Sequence, residues 1–103
     1  MNNKFRIEYL PIAEKDLTEI LDYIQIDNPT TALNFLDIID KAISKLAYFP
    51  YIGHTPKDQR LILLQYRMLE VENHLVFYVV LDEEEVVEIR RILHGKRKYN
   101  FLV

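Results

Sequence analysis

The sequence predicts an α+β fold of two layers, in which an N-terminal helical hairpin packs on a mainly antiparallel four-stranded sheet. The hydrophobic period supports this, because it is two residues over Lys4–Leu10, 3.6 over the next two segments, and two again from Leu61 onwards. Three sequential strands with short turns indicate an antiparallel meander, and a helical hairpin needs a sheet face to cover its apolar stripes. The predicted order is therefore β-α-α-β-β-β.

Each of the two predicted helices opens on a proline. Pro11 suits a first helical position, where the missing N–H is not needed, and an amphipathic segment follows it. Asn28 can cap the second helix with its side-chain oxygen, and Pro29 can open that helix. The second apolar stripe, from Ala32 to Leu46, is stronger than the first. Two such helices joined by a short turn form a hairpin.

Three strands are predicted after a loop, Phe49 to Asp58, that contains two prolines and a glycine. The strand-like runs are Leu61–Val71, Leu75–Leu81 and Val86–Leu93, and short polar segments separate them. The run Leu75–Leu81 is apolar on both faces, which predicts a central strand covered on both sides.

Composition places the chain among ordinary globular proteins. With 103 residues we expect one domain over 1–103, and 50% hydrophobic with 28% charged residues indicates neither disorder nor a membrane protein. The absence of cysteine excludes disulfides and thiolate metal sites. No histidine pair has metal-ligand spacing and no glycine-rich phosphate loop is present, so we expect no metal and no cofactor. No signal peptide is visible, so we expect a cytoplasmic protein that does not contact a membrane.

Charge is spread unevenly along the chain, whose formal net charge is −3. The segment from Ile89 to Val103 holds five of the 13 basic residues and none of the 16 acidic ones. This asymmetry indicates an anionic partner for the basic end, or else a tail that balances surface acids, and both interpretations remain open. The acidic total argues against a general nucleic-acid coat protein.

The candidate catalytic residues, His94, Lys96, Arg97 and Tyr99, all lie in this basic end. RNA cleavage by attack of the 2′-hydroxyl needs a base, an acid and fixed positive charge, and these side chains offer all three without a metal. By residue type alone, a solvated basic tail is the commoner interpretation of this segment. The candidate residues for binding a partner macromolecule are Arg67, Arg90, Arg91 and Lys98.

Other titratable residues carry weaker signals. His54 lies in the proline-containing loop and His74 at the start of a strand. Glu70 and Glu72 lie where a carboxylate can act as a general base, although such charges more often occupy the solvent face of a hairpin.

Three local features together resemble the RelE/ParE toxins. These are Phe49-Pro50 followed by Gly53, Tyr66-Arg67 followed by the run His74–Val80, and a last strand that ends in His94-Gly95-Lys96-Arg97. The resemblance covers nearly the whole chain, and it implies a toxin inactivated by a tightly bound cognate antitoxin. It also implies contact with operator DNA only through that antitoxin. We expect an exposed apolar patch beside the basic end as the antitoxin site.

The resemblance leaves the mechanism divided. RelE-like members cut mRNA on the ribosome, whereas ParE-like members poison DNA gyrase, and the His-Gly-basic-Arg ending is closer to the ParE side. Leu75 stands where the nuclease branch carries an arginine; Arg97 matches a basic active-site position of that branch, and Tyr99 matches only loosely. The resemblance therefore favours a non-nuclease toxin. The alternatives are a ribosome-dependent mRNA endoribonuclease and an inert antitoxin-binding or co-repressor module.

Overall fold

The structure is a computed structural model, and it describes residues 4–96. Its elements in chain order are β1 Arg6–Tyr9, α1 Pro11–Asp27, α2 Pro29–Ser44, a 3₁₀ turn Lys45–Ala47, α3 Gln59–Leu63, β2 Tyr66–Val71, β3 His74–Leu81 and β4 Val86–His94. The sheet order is β1-β4-β3-β2, with β1 parallel to β4 and the other pairs antiparallel. The predicted class and element order are confirmed. Within residues 4–96, no helix combines the length and apolar character needed to cross a membrane.

The helical hairpin forms as its sequence predicts. The Asn28 side-chain oxygen accepts the N–H groups of Thr30 and Thr31 at 3.0 and 3.2 Å, which satisfies two donors that the start of α2 would leave unpaired. On its apolar stripe, α2 buries Phe35 and Ile39 against the sheet. The hairpin therefore covers one face of the sheet, called here the helix face.

The predicted strand Leu61–Val71 is wrong in its first half. The structure places α3 at Gln59–Leu63, where the Asp58 carboxylate caps the helix by accepting the Arg60 N–H at 2.8 Å. Strand β2 begins only at Tyr66. A short apolar run is compatible with a helix and with a strand, so its hydrophobic period did not distinguish α3 from the predicted strand.

The sheet is buried on both faces. On the helix face, Tyr78 and Ile89 join the hairpin residues in the larger core. On the opposite face, called the outer face, Leu61 of α3 packs with a smaller cluster around Phe77 and Leu93. The prediction that β3 is a central strand covered on both sides is therefore confirmed.

Strand β4 extends well beyond its neighbour β1. The pairing of β1 with β4 ends at Tyr9 and Ile89, and a bulge at Arg90 follows, since Tyr78 pairs with Ile89 whereas Phe77 pairs with Arg91. Among the described residues, no strand pairs with β4 beyond Ile89 on the side where β1 lies. The edge that results lies beside α1 and next to the candidate site.

Candidate functional site

The two histidines at the ends of β3 and β4 face each other. His74 and His94 are register partners, and their ring centroids lie 5.2 Å apart at an interplanar angle of 73°. His74 is half-buried, with its ring 5.0 Å from that of Phe35, whereas His94 is exposed. A cleft at this end of the sheet is lined by both histidines and by Glu70, Glu72, Asn73, Gly95 and Lys96.

The hydrogen bonds of this histidine pair define its acid–base character. His94 Nδ1 accepts the Lys96 backbone N–H at 3.1 Å, so the neutral ring carries its proton on Nε2. His74 Nδ1 is buried and has no hydrogen-bond partner among the described residues. Burial lowers the pKa of His74, and the neighbouring His94 lowers it further, so His74 is neutral at pH 7. Two imidazoles and an ammonium group can act as base, acid and electrostatic stabiliser, although two carboxylates line the same cleft.

The sequence indicated His94 and Lys96 as site residues, and the structure brings them together. It adds His74, which was seen only as a titratable residue at the start of a strand. The bulge at Arg90 sets which β4 residue lies opposite His74, and nothing in the histidine spacing reveals that register. Arg97, Lys98 and Tyr99 lie outside the described residues, so their predicted roles stay predictions. In residues 4–96 no group of three or more potential metal ligands is present.

Arg67 binds the proline-containing loop. Its guanidinium donates from Nη2 to the backbone oxygens of Tyr51 and Gly53 at 3.0 and 2.9 Å, and its charge lies 5.3 Å from the Tyr51 ring centroid. These contacts hold the loop against β2 and give Arg67 a structural role. A further role in binding a partner stays a prediction.

Arg90 and Arg91 both contact acidic residues of the chain itself. Arg90 donates from Nε to Glu88 at 2.7 Å and lies over the Tyr66 ring, 5.6 Å from its centroid. Arg91 forms a two-point ion pair with Asp16 of α1, with distances of 2.7 and 3.0 Å and side chains only 13% and 9% exposed. The hydrogen bonds to Asp16 raise the pKa of Arg91. Both arginines therefore pair with acidic residues of the chain, and their role in binding a target or an antitoxin stays a prediction.

Gly53 of the loop motif is required by a close approach of two chain segments. Its N–H donates to the buried Tyr78 hydroxyl at 3.0 Å. A Cβ at this position would lie 2.5 Å from that hydroxyl and 2.6 Å from the Met68 carbonyl oxygen, closer than atoms pack. The glycine of this motif is thus explained by packing, not by chemistry.

An apolar groove runs between α1 and the end of β4, and it is called here the α1–β4 groove. Its volume is about 520 Å³, and its lining residues include Glu19, Ile20, Tyr23 and Ile24 of α1. The rest of the lining is Asp16, Asn73, Ile92, Leu93 and the two histidines. Tyr23 is 77% exposed. This groove is the exposed apolar patch that we expected beside the basic end.

Comparison with known proteins decides the family. The family model described as ParE toxin of type II toxin–antitoxin system, parDE, matches residues 7–99. The chain belongs to the ParE toxin family. It is therefore a RelE/ParE toxin of a type II toxin–antitoxin system, and the resemblance inferred from its motifs is confirmed.

Solved structures of related fold agree with this assignment. The chromosomal ParDE toxin–antitoxin system from P. aeruginosa matches with a TM-score of 0.72 and 20% identity, over 90% of this chain and 98% of that chain. The RelBE2 toxin–antitoxin complex from Mycobacterium tuberculosis matches with a TM-score of 0.62 and 16% identity, over 89% and 92%. At these identities the likeness shows the ParE/RelE fold alone. A comparison with curated proteins gave no significant match.

Proposed function

We propose that this toxin arrests bacterial growth by binding a protein target, in the manner of a gyrase poison, without cutting RNA itself. The observation that carries the proposal is the use of Arg67, Arg90 and Arg91 inside the fold, where each donates to an acceptor of the chain. A ribosome-dependent nuclease needs cations that are available to the phosphates of its substrate. The match to the ParE family model supports the same conclusion.

The charges of the cleft also favour a mechanism without RNA cleavage. Glu70 and Glu72 line it together with Lys96, so the carboxylates repel an incoming phosphate. Leu75, which stands where the nuclease branch carries an arginine, packs against the outer-face cluster. The cleft is therefore better suited to recognising a protein surface than to stabilising a phosphorane-like transition state.

A metal-independent endoribonuclease is the second candidate, and the histidine pair favours it. In that mechanism His94 and His74 would exchange protons with the 2′-hydroxyl and the leaving oxygen, while Lys96 and Arg97 would stabilise the phosphate and Tyr99 would donate a proton or stack on a base. An inert antitoxin-binding or co-repressor module is the third candidate.

The proposal includes a cognate antitoxin as partner. Both solved relatives are described as toxin–antitoxin systems or complexes, which supports this. The antitoxin neutralises the toxin, and operator DNA is contacted only through the antitoxin. The chain acts as one toxin domain.

Induced expression in a bacterial host tests the proposal directly. We expect growth arrest, with intact messenger RNA ends and with gyrase–DNA adducts recovered from the same cells. Messages cut at ribosomal positions, without such adducts, would establish the nuclease instead. No growth arrest at a verified protein level would leave the inert module.

Variants of the basic end identify the residues responsible. We expect His94→Ala and Arg97→Ala to weaken growth arrest and to reduce gyrase adducts in parallel. His54→Ala is the matched control, because His54 is also exposed but lies in the proline-containing loop. Full growth arrest by the double variant His94→Ala, Arg97→Ala would contradict the assignment of these residues.

A further inference from the structure

The proline-containing loop exposes large apolar side chains at the end of the sheet opposite to the histidine pair. Phe49 and Ile52 are 61% and 49% exposed, and one turn carries both, since the Ile52 N–H donates to the Phe49 carbonyl oxygen at 3.2 Å. Tyr51, also 49% exposed, lines a cleft of about 310 Å³ together with Ile62 of α3. These four residues are called here the loop surface. Clusters of exposed apolar side chains mark sites of interaction.

A hydrogen bond to the turn between β3 and β4 shows where this surface lies. The Tyr51 hydroxyl donates to the carboxylate of Asp82, the residue that follows β3. His74, which lines the α1–β4 groove, is the first residue of the same strand. The loop surface and the α1–β4 groove therefore lie at opposite ends of β3, and a partner bound at one leaves the other accessible.

Polar contacts beneath the loop surface hold the loop in place. Arg67 donates to the backbone oxygens of Tyr51 and Gly53. The Gly53 N–H donates in turn to the buried Tyr78 hydroxyl, and Pro50 restricts the backbone next to Tyr51. A loop that is already ordered loses little conformational entropy when a partner binds, so its exposed side chains are suited to docking.

Charge indicates what kind of partner fits. The turn that borders the loop surface, Asp82–Glu85, consists of four acidic residues. The basic residues of the segment 49–67 are Lys57, Arg60 and Arg67. Arg60 forms an ion pair within this segment, and Arg67 donates to the loop carbonyl oxygens. The carboxylates of the turn therefore outweigh the cations of the loop and α3.

An acidic border narrows the choice of occupant. It repels nucleic acid and anionic lipid, and a second copy docked through the same surface would bring the same acids. A protein with lysine or arginine residues next to apolar side chains is complementary to the loop surface in both charge and polarity.

We propose that the loop surface docks the protein target of the toxin, through a region of the target where lysine or arginine residues flank apolar side chains. The inference rests on the proposed function, which assigns a protein target. Phe49, Tyr51 and Ile52 supply the apolar area that becomes buried, and the acidic turn selects the basic flanking residues. The loop surface is thus a second contact with the target, in addition to the one proposed at the basic end.

Affinity for purified DNA gyrase, measured with the full toxin, tests the apolar part of this contact. We expect the double variant Phe49→Glu, Ile52→Glu to bind at least about tenfold more weakly, as loss of anchor side chains does, and to weaken growth arrest in parallel. Leu33→Glu is the matched control, because Leu33 is 69% exposed but belongs to α2. It should bind as the wild type does, and thermal unfolding checks that each variant is folded.

A charge variant tests the acidic border without altering an apolar side chain. We expect Glu83→Lys, at an exposed position of the turn, to weaken gyrase binding, with the larger effect at low salt. Asp27→Lys changes the net charge equally, but at the exposed last residue of α1, and should bind as the wild type does. This arm decides the question if the double variant does not fold.

The outcomes separate this inference from the proposed function. If the wild-type toxin neither binds gyrase nor yields gyrase–DNA adducts, the proposed function fails and the inference fails with it. If the wild type binds and the folded loop variants bind equally well, the inference alone is overturned. Binding of the protein encoded by the adjacent gene should be unchanged in the loop variants. Weaker binding of that protein, with gyrase binding intact, would assign the loop surface to the antitoxin and would also overturn the inference.

Discussion

Two ends of the sheet use similar residue types for opposite purposes. At the loop end, defined by Tyr51, Gly53, Arg67 and Tyr78, the polar groups bind one another: Arg67 donates to two loop carbonyl oxygens, and the Tyr78 hydroxyl accepts the Gly53 N–H. At the β4 end, defined by His74, His94, Gly95 and Lys96, His94 and Lys96 are exposed. The motifs shared with the family therefore contain both residues that stabilise the fold and residues that are exposed to a partner.

Residue type alone did not separate these roles. Arg67 and Lys96 are both cations within motifs shared with the family, and the sequence indicated both as functional. The acceptors around each side chain make the difference, because a guanidinium that already has two carbonyl partners offers less to a ligand. Variants at the two ends of the sheet test this difference.

Removal of the Asp16 carboxylate should have the largest effect on stability. Asp16→Ala takes away the partner of the Arg91 guanidinium and of the Ile92 N–H, in a pair that is almost fully buried. We expect the free energy of unfolding to fall by about 3 kcal/mol, as when one partner of a buried ion pair is removed. Urea denaturation measures this change.

A surface ion pair provides the control for Asp16. Arg6 and Glu8 form a pair whose side chains are 68% and 50% exposed. Glu8→Ala should therefore change the free energy of unfolding by less than about 1 kcal/mol. Equal losses in the two variants would contradict the structural role given to the buried pair.

The loop end should be nearly as sensitive at Gly53. Gly53→Ala forces a methyl group against the Tyr78 hydroxyl and a backbone carbonyl, and we expect a loss of about 2 kcal/mol, as in other overpacked sites. Thermal unfolding measures it. Gly95→Ala is the control at the β4 end, where the added Cβ would meet the Asn73 carbonyl oxygen at 3.2 Å. A larger loss for Gly95→Ala than for Gly53→Ala would reverse the comparison.

The free energy of unfolding should depend on pH because of His74, which lies at the β4 end. Its pKa is lowered in the fold by burial and by His94, so the unfolded chain binds the proton more readily. The stabilising contribution of neutral His74 is therefore complete above pH 6.5 and is lost as the pH falls below this value towards the folded-state pKa. Unfolding free energies measured between about pH 7.5 and 5.5 should show the decline.

Two histidine variants test whether the pH dependence of the unfolding free energy comes from His74. His74→Gln should flatten the pH dependence, because a glutamine does not titrate. His54→Gln, at an exposed histidine of the loop, is the matched control variant. An identical pH slope in the His74 variant and the wild type would rule out this origin.

The smallest effect on stability is expected at Lys96. Lys96→Ala removes an exposed side chain, so the free energy of unfolding should change by less than about 0.5 kcal/mol. Growth arrest, in contrast, should weaken if the β4 end contacts the target. Loss of stability together with unchanged growth arrest would place Lys96 with the structural residues instead.

The sequence allowed most of the fold to be predicted, because its local signals agree with the tertiary packing. The Asn28 cap and the apolar stripe that follows it predict a helix, and that helix is α2. The apolar run from residue 75 to 81 predicts a buried strand, and that strand is β3. Helix α3 escaped prediction because Leu61 is equally compatible with a buried strand, and the cap supplied by Asp58 lies in a segment dominated by turn residues.

The candidate site could be predicted only in part. His94 and Lys96 followed from the motif at the end of β4, but His74 became a neighbour through a bulge that no residue pattern announces. The Asp16–Arg91 pair joins residues 75 positions apart, and its cause is a strand edge that β1 leaves uncovered. Contacts of this kind depend on where each strand ends, and strand ends are the least specified part of the pattern.

The parallel pairing of β1 with β4 has a consequence for synthesis of the toxin. Residues Arg6–Tyr9 pair with Val86–Ile89. The first strand therefore has no strand to pair with until the last strand has been synthesised. Contacts so distant in sequence form late, after the cost of closing the chain has been met. During translation the α1–β4 groove and the histidine pair therefore do not yet exist, and both form only once β4 has been made.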